Sequence, residues 1–316
     1  MIALLLSFAS CAYFHQYEEK SFISWMRSTN QFYTGDEYHL RFGLFLASSR
    51  FVKEHNAANK KFKVCLNKFA AYTPSEYKAL LGYKMEVSDN NNAVKTQRKY
   101  NGDLLDWRDK GVVNEIKDQG NCGSCWAFSA VQAVESANAI STGILPSYSE
   151  QMLVDCVSYC YGCKGGIMSK AYDYVMSHQQ GHYNPENEYI YTATEGNCKY
   201  SQYTPVGSMS DYFKVVIGDE DDLAAKLETY GPVAVSIDSS QYSFQLYSEG
   251  IYDEPLCTSS FLDHAVGCIG YGIEGSTKYW IVRNSWGTSW GEKGYMKMIW
   301  KNNQCGIATN ACVPVS

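Results

Sequence analysis

An α+β fold is expected for this chain of 316 residues. Two stretches carry apolar residues at helical spacing, one around residues 42–53 and one following Cys125. Four β-type runs, near residues 233–237, 265–271, 278–283 and 295–300, are gathered towards the C-terminus. Segregation of helical and strand patterns, rather than strict alternation, is the mark of that class. Composition agrees: 45% apolar and 19% charged residues describe a globular chain, neither disordered nor fibrous. The formal charge of −6 disfavours a nucleic-acid binder that works by neutralising phosphates. No apolar run approaches the roughly 18 residues of a membrane-spanning helix.

In chain order, Met1 to Ala12 reads MIALLLSFASCA. The apolar run Ile2 to Phe8, followed by Ser10-x-Ala12, has the form of a signal peptide over 1–12. A secretory route admits disulfides and suits a chain with 12 Cys. Residues 13–100 hold 14 Lys and Arg against 8 Asp and Glu, whereas 101–316 hold 13 against 25. Between them lies Ser88-Asp89-Asn90-Asn91-Asn92-Ala93, a polar stretch with the character of a cleavable linker. A basic segment lying on an acidic body is the reading that follows. Within that segment Phe42, Phe45, Leu46, Ser49, Val52 and Lys53 keep helical spacing, and Glu37 and Arg41 stand at i,i+4.

The most informative stretch is Gln119-Gly120-Asn121-Cys122-Gly123-Ser124-Cys125-Trp126-Ala127-Phe128. A Gly/Asn turn is followed by Phe128, Val131, Val134 and Ile140 at helical period, with Gly143 as the stop. Cys125 therefore begins a helix, where unpaired N–H groups and the dipole favour the thiolate, the nucleophilic form. Two other readings share these residues: a redox pair Cys122/Cys125, and a structural disulfide or buried thiol. The run Cys156-x3-Cys160-x2-Cys163-x34-Cys198 is likewise open to zinc or to disulfides. His178 and His182 are four apart, but Gly181 interrupts the helix a zinc pair needs.

Gln119-Gly120-x-Cys122-Gly123-Ser124-Cys125-Trp126 resembles the active-site segment of papain-like cysteine proteases. Asp263-His264-Ala265 and Asn284-Ser285-Trp286-Gly287 match the downstream His and Asn motifs, 139 and 159 residues beyond Cys125. Upstream, Glu37-x3-Arg41-x3-Phe45-x2-Ser48-x3-Val52-x3-Asn56 is similar to the pro-region helix motif of the cathepsin L-like branch, with Ser48 and Val52 departing from it. Cys65-x-Asn67-x-Phe69-x-Ala71 resembles the second pro-region motif, but Ala71 stands where an Asp is expected. The resemblance implies a two-lobed fold, one lobe helical and one β-barrel-like, preceded by an N-terminal helical pro-region. It divides the chain into 1–12, an inhibitory pro-region 13–98 and a catalytic domain 99–316.

What the resemblance implies for function is a zymogen of a cysteine endopeptidase. Cys125 is the nucleophile, His264 its proton partner, Asn284 the orienting group and Gln119 an oxyanion donor. Gly165 and Gly166 form a platform for the substrate backbone. Ile167, Met168, Ser236, Leu262, Ala265 and Asn310 line the main specificity pocket, which favours an apolar residue at P2. Trp286 shields the His–Asn contact and Trp290 lines the leaving-group side. The implied disulfides are Cys122–Cys163, Cys156–Cys198 and Cys257–Cys305; Cys268 is expected as a buried thiol, and Cys160 and Cys312 either pair or stay free. No metal or cofactor is implied. Expected partners are protein and peptide substrates, the chain's own pro-region and inhibitors of the cystatin type, with no nucleic acid and a monomeric state. Lysosome-like vesicles or the extracellular space are the expected locations.

Overall fold

The computed structural model describes residues 16–85, 93–97, 100 and 102–316. The expected signal peptide, most of the polar linker and the boundary at 98/99 lie outside the described residues. Two helices open the chain, α1 (16–28) and α2 (Gly35–Ala57), and the helical pattern around 42–53 falls inside the second. Aromatic packing joins them: Phe22 meets Phe42 and Phe45 at 5.3 and 5.2 Å between centroids. A short strand β1 (Phe62–Val64) and helix α3 (Pro74–Leu80) follow. Thr73 and Glu76 close a capping box on α3, and Pro74 sits in its first turn, where a missing N–H costs nothing. Glu76 also receives both terminal nitrogens of Arg41, at 2.5 Å each, which ties α3 to α2.

The body contains β2 (Leu105–Asp106), α4 (Cys125–Thr142), α5 (Glu150–Cys156) and α6 (Met168–Gln179). It continues with β3 (Asp211–Lys214), α7 (Glu220–Tyr230), β4 (Val233–Ile237), α8 (Tyr242–Gln245) and β5 (Tyr247–Tyr252). The last strands are β6 (His264–Glu274), β7 (Thr277–Arg283), β8 (Tyr295–Ile299) and β9 (Ala311–Val315). Helix α4 is buried from Cys125 to Ala139 and stops at Gly143, whose left-handed φ of 77° only glycine adopts without strain.

Among the described residues one sheet runs in the order β1-β5-β8-β7-β6-β4-β9-β3, with β2 added against β6. It is open, not closed into a barrel. Its edges explain why: one is β3, and the other is β1, donated by the N-terminal segment and paired antiparallel to β5. Two apolar cores result. One holds α4, α5 and α6 with Tyr83; the other joins the sheet to Phe22, Trp25, Phe69, Tyr77 and Leu80 of the N-terminal segment. Residues 94–96 lie on α7, where Lys226 donates to the Val94 carbonyl at 2.9 Å and Thr96 N–H to Asp222 at 2.9 Å. No described helix is long and apolar enough to cross a membrane.

Cysteines 122 and 163, 156 and 198, and 257 and 305 are joined as disulfides. Cys122 is thus bonded to Cys163 and not to Cys125. Cys65, Cys125, Cys160, Cys268 and Cys312 are free thiols, so Cys160 and Cys312 do not pair.

Candidate active site

Three pieces of secondary structure converge here. Cys125 is the first residue of α4, and Ser124 places no side-chain cap over that end. His264 is the first residue of β6, and Asn284 follows the last residue of β7. The two strands are antiparallel neighbours, so the start of one lies beside the end of the other. That topology alone brings His264 to Asn284 although 20 residues separate them.

The contact between them is a hydrogen bond of 2.9 Å from His264 Nε2 to Asn284 Oδ1. The Ser285 backbone N–H also donates to Oδ1, at 2.8 Å, which fixes which end of the amide faces the ring. Oδ1 can only accept, so His264 carries its proton on Nε2 and leaves the Nδ1 lone pair open. Nδ1 has no hydrogen-bond partner among the described residues. Trp286 lies over the imidazole at 4.7 Å and 29°, screening the His–Asn bond. Trp290 is fully buried behind it, edge-on to Trp286 at 5.3 Å, with its N–H given to the Phe244 carbonyl.

Gln119 is also fully buried. Its Oε1 accepts from Ser285 Oγ at 2.7 Å and Trp286 Nε1 at 3.1 Å, so Nε2 is turned towards the Cys125 end of α4. There it donates to the Leu80 carbonyl at 2.9 Å and to the Cys122 carbonyl at 2.8 Å. Leu80 belongs to the N-terminal segment. That segment then crosses Gly166: Gly166 N–H donates to Gly82 O at 2.8 Å and Lys84 N–H to Gly166 O at 3.0 Å, a parallel bridge. Tyr83 N–H donates to Asp263 O at 3.0 Å, and its ring is buried in the cluster containing Ile167, Met168, Leu262 and Ala265. Ser236 and Asn310 stand beside one another, Ser236 Oγ donating to the Asn310 carbonyl at 3.0 Å. Phe69 and Tyr77 pack edge-on against Trp286 at 5.1 and 5.8 Å.

Burial under this segment sets the charges. Desolvation pushes the Cys125 thiol up to about 12, against the pull of the Ala265, Gly82 and Trp126 backbone amides. It pushes His264 down to about 4, against the bond to Asn284. The thiolate expected from a helix N-terminus is therefore absent in this covered state, because loss of water outweighs the dipole. Asp263, beside His264, is raised to about 6 by burial, and its Oδ1 accepts from Ser239 N–H and Oγ.

Residues 102–315 match the family model for the papain family cysteine protease, and residues 22–77 match that for the cathepsin propeptide inhibitor domain. The chain belongs to the papain family of cysteine proteases. Digestive cysteine proteinase 1 of Homarus americanus is 40% identical over 88% of this chain and 89% of its own length. Cysteine proteinase 3 of Dictyostelium discoideum is 38% identical over 100% and 97%. Among solved structures, the digestive procathepsin L2 proteinase from Tenebrio molitor larval midgut superposes with a TM-score of 0.88 at 36% identity, covering 95% of this chain and 100% of that one. This papain-family protease thus carries its inhibitory propeptide, and the structure is that of a zymogen.

The sequence motifs brought the Cys, His, Asn and Gln to notice, and the structure gathers all four under one stretch of propeptide. Sequence reasoning missed the occupants of the cleft, Leu80, Gly82 and Tyr83. The available signal was a glycine between apolar residues, six positions after Glu76 of the Thr73-Pro74-x-Glu76 capping pattern.

Proposed function

We propose that the mature enzyme is a cysteine endopeptidase whose reacting pair is Cys125 and His264. The observation that carries this reading is the fixed tautomer of His264: Asn284 Oδ1 holds the proton on Nε2, leaving Nδ1 to take the thiol proton once the propeptide leaves. The thiolate attacks the peptide carbonyl, forming a C–S bond. The oxyanion receives the Gln119 Nε2–H, now given to Leu80 O, and the Cys125 N–H. The imidazolium gives its proton to the leaving amine as the C–N bond breaks. Water, deprotonated by the neutral imidazole, then hydrolyses the acyl-enzyme and restores the thiol.

Gly165 and Gly166 present backbone to an extended peptide, as Gly166 already does to the propeptide. Tyr83, buried in the same apolar cluster as Ile167, Met168, Leu262 and Ala265, supports an apolar P2 preference. Propeptide and catalytic domain meet at 98/99 in this reading, consistent with matched ranges ending at 77 and starting at 102. Three disulfides and cathepsin-like relatives support a secretory route to lysosome-like vesicles or the outside. Cystatin-type inhibitors are expected to fit the same cleft once the propeptide has left, and a monomer to suffice, since one chain supplies all four groups.

The test is hydrolysis of fluorogenic dipeptides by the matured chain. Activity is expected with Phe, Tyr or Leu at P2, to be blocked by a thiol alkylator, and to vanish in Cys125→Ser. Full activity in Cys125→Ser sinks the reading.

A further inference from the structure

Asn284 has a second polar atom. Its Nδ2 is buried and has no hydrogen-bond partner among the described residues, and the same holds for Arg283 Nε and for both amide atoms of Gln132. All three side chains line one cavity of about 10 Å³, together with Ser129 and Gly267. Gln132 is on α4, seven positions after Cys125 and so on the same helix face. A Cβ at position 267 would land on the Gln132 amide, so Gly267 leaves that amide its room. Two unpaired buried donors, Asn284 Nδ2 and Arg283 Nε, beside the unpaired acceptor Gln132 Oε1 are costly unless something fits between. A cavity of this size, with several convergent polar groups, is what a single ordered water needs.

We propose that Gln132 is a positioning residue for Asn284, acting through one buried water. The water accepts from Asn284 Nδ2–H and Arg283 Nε–H and donates to Gln132 Oε1. It thereby pins the amide whose other end holds His264 in its working tautomer. This inference rests on the proposed roles of His264 and Asn284.

The matured full-length chain and its variants are assayed on a fluorogenic dipeptide substrate. Gln132→Leu is expected to lower kcat about ten-fold, the scale of one buried hydrogen bond, with KM within about two-fold. Gly267→Ala, which presses on the same amide from the opposite wall, is expected to give the same split. In an Asn284→Ala background either substitution is expected to add less than about two-fold, because the group it acts through is gone. Should Gln132→Leu fail to fold, Gly267→Ala alone and with Asn284→Ala completes the cycle. An equal loss in both backgrounds, or no loss of kcat in either variant, overturns the proposal. Asn284→Ala with unchanged kcat overturns the His264–Asn284 reading itself, which separates the two failures.

Discussion

Cys125 and His264 are shifted in opposite directions by one cause, removal from water in a site that the propeptide covers. With the thiol near 12 and the imidazole near 4, both are neutral from about pH 5 to 9 in the zymogen. Iodoacetamide is therefore expected to alkylate Cys125 of the intact zymogen slowly and almost independently of pH, and at least about 100-fold faster after propeptide release; mass spectrometry of the Cys125 peptide reads both rates. A fast reaction in the covered chain at pH 6 contradicts the burial argument. Gln119 offers a second test at this scale. Its carbonyl end is already held by Ser285 and Trp286, which leaves the amide nitrogen as a preset donor. Gln119→Ala is expected to cost the mature enzyme about 100- to 1,000-fold in kcat, with KM little changed, in steady-state kinetics. The departure at Ser48 also acquires a physical account, since its hydroxyl bonds the Ala70 carbonyl and meets Tyr242 of the body.

At the scale of elements, α3 and the four residues after it act as one latch. Glu76 caps α3 and binds Arg41, Tyr77 gives its hydroxyl proton to the Ser239 carbonyl at 2.7 Å, and the chain leaves the helix into the cleft. Gly82 is the point of closest approach, because a Cβ there would land on the Gly123 carbonyl oxygen, a backbone atom unable to move aside. Gly82→Ala is expected to lift residues 80–84 from the cleft while α1 to α3 remain folded. The checks are alkylation of Cys125 in the full chain, faster by about ten-fold or more, and an unchanged thermal unfolding midpoint for the propeptide helices. The start of α4 and the strands carrying His264 and Asn284 could be read from the sequence because each has a local pattern, a turn before a helical period or a run of β-formers. Residues 80–84 have no such pattern; the groove they occupy gives them their shape. The edges of the sheet are set non-locally for a related reason. Closure depends on what pairs with each edge, and β1, more than 180 residues upstream of β5, takes one of them.

For the whole molecule, the charge division between 13–100 and 101–316 appears, among the described residues, as three ion pairs across the interface with Lys on the propeptide side: Lys61–Asp253, Lys68–Asp118 and Lys95–Asp219. They sit at the rim of a large apolar contact, so high salt at neutral pH is expected to change the release rate by about three-fold or less, measured as maturation over a salt series. Nor would they make release sensitive to mild acid. Burial pushes the Asp219 carboxyl up, but the Lys95 ammonium and the Asp222 N–H hold it below its ordinary 3.8 overall, so that attraction is present above pH 4 and lost only below. Glu76 behaves alike: the Arg41 bond holds it near 2, so its contribution fades only as pH falls from about 4.5 towards 2. His55 has the opposite chemistry and the right range. It is buried against Phe51 and Phe62, its ring facing the Phe62 carbonyl of β1. Burial lowers its pKa below 6.5; the Phe62 carbonyl and Glu254 oppose this, and Lys60 and Lys63 reinforce it. A base whose folded pKa is depressed takes its proton more readily when released, so stability falls as pH drops below about 6.5. His55→Leu, which keeps the apolar contact and removes the titration, is expected to flatten this loss. In a Cys125→Ser full chain, where no cleavage intervenes, propeptide release can be followed by tryptophan fluorescence from Trp25 and Trp286. The increase in release from pH 7.5 to pH 5 is expected to be smaller in the His55→Leu chain. An unchanged ratio would place the acid trigger elsewhere, with His264, whose pKa burial also lowers, the next group to replace.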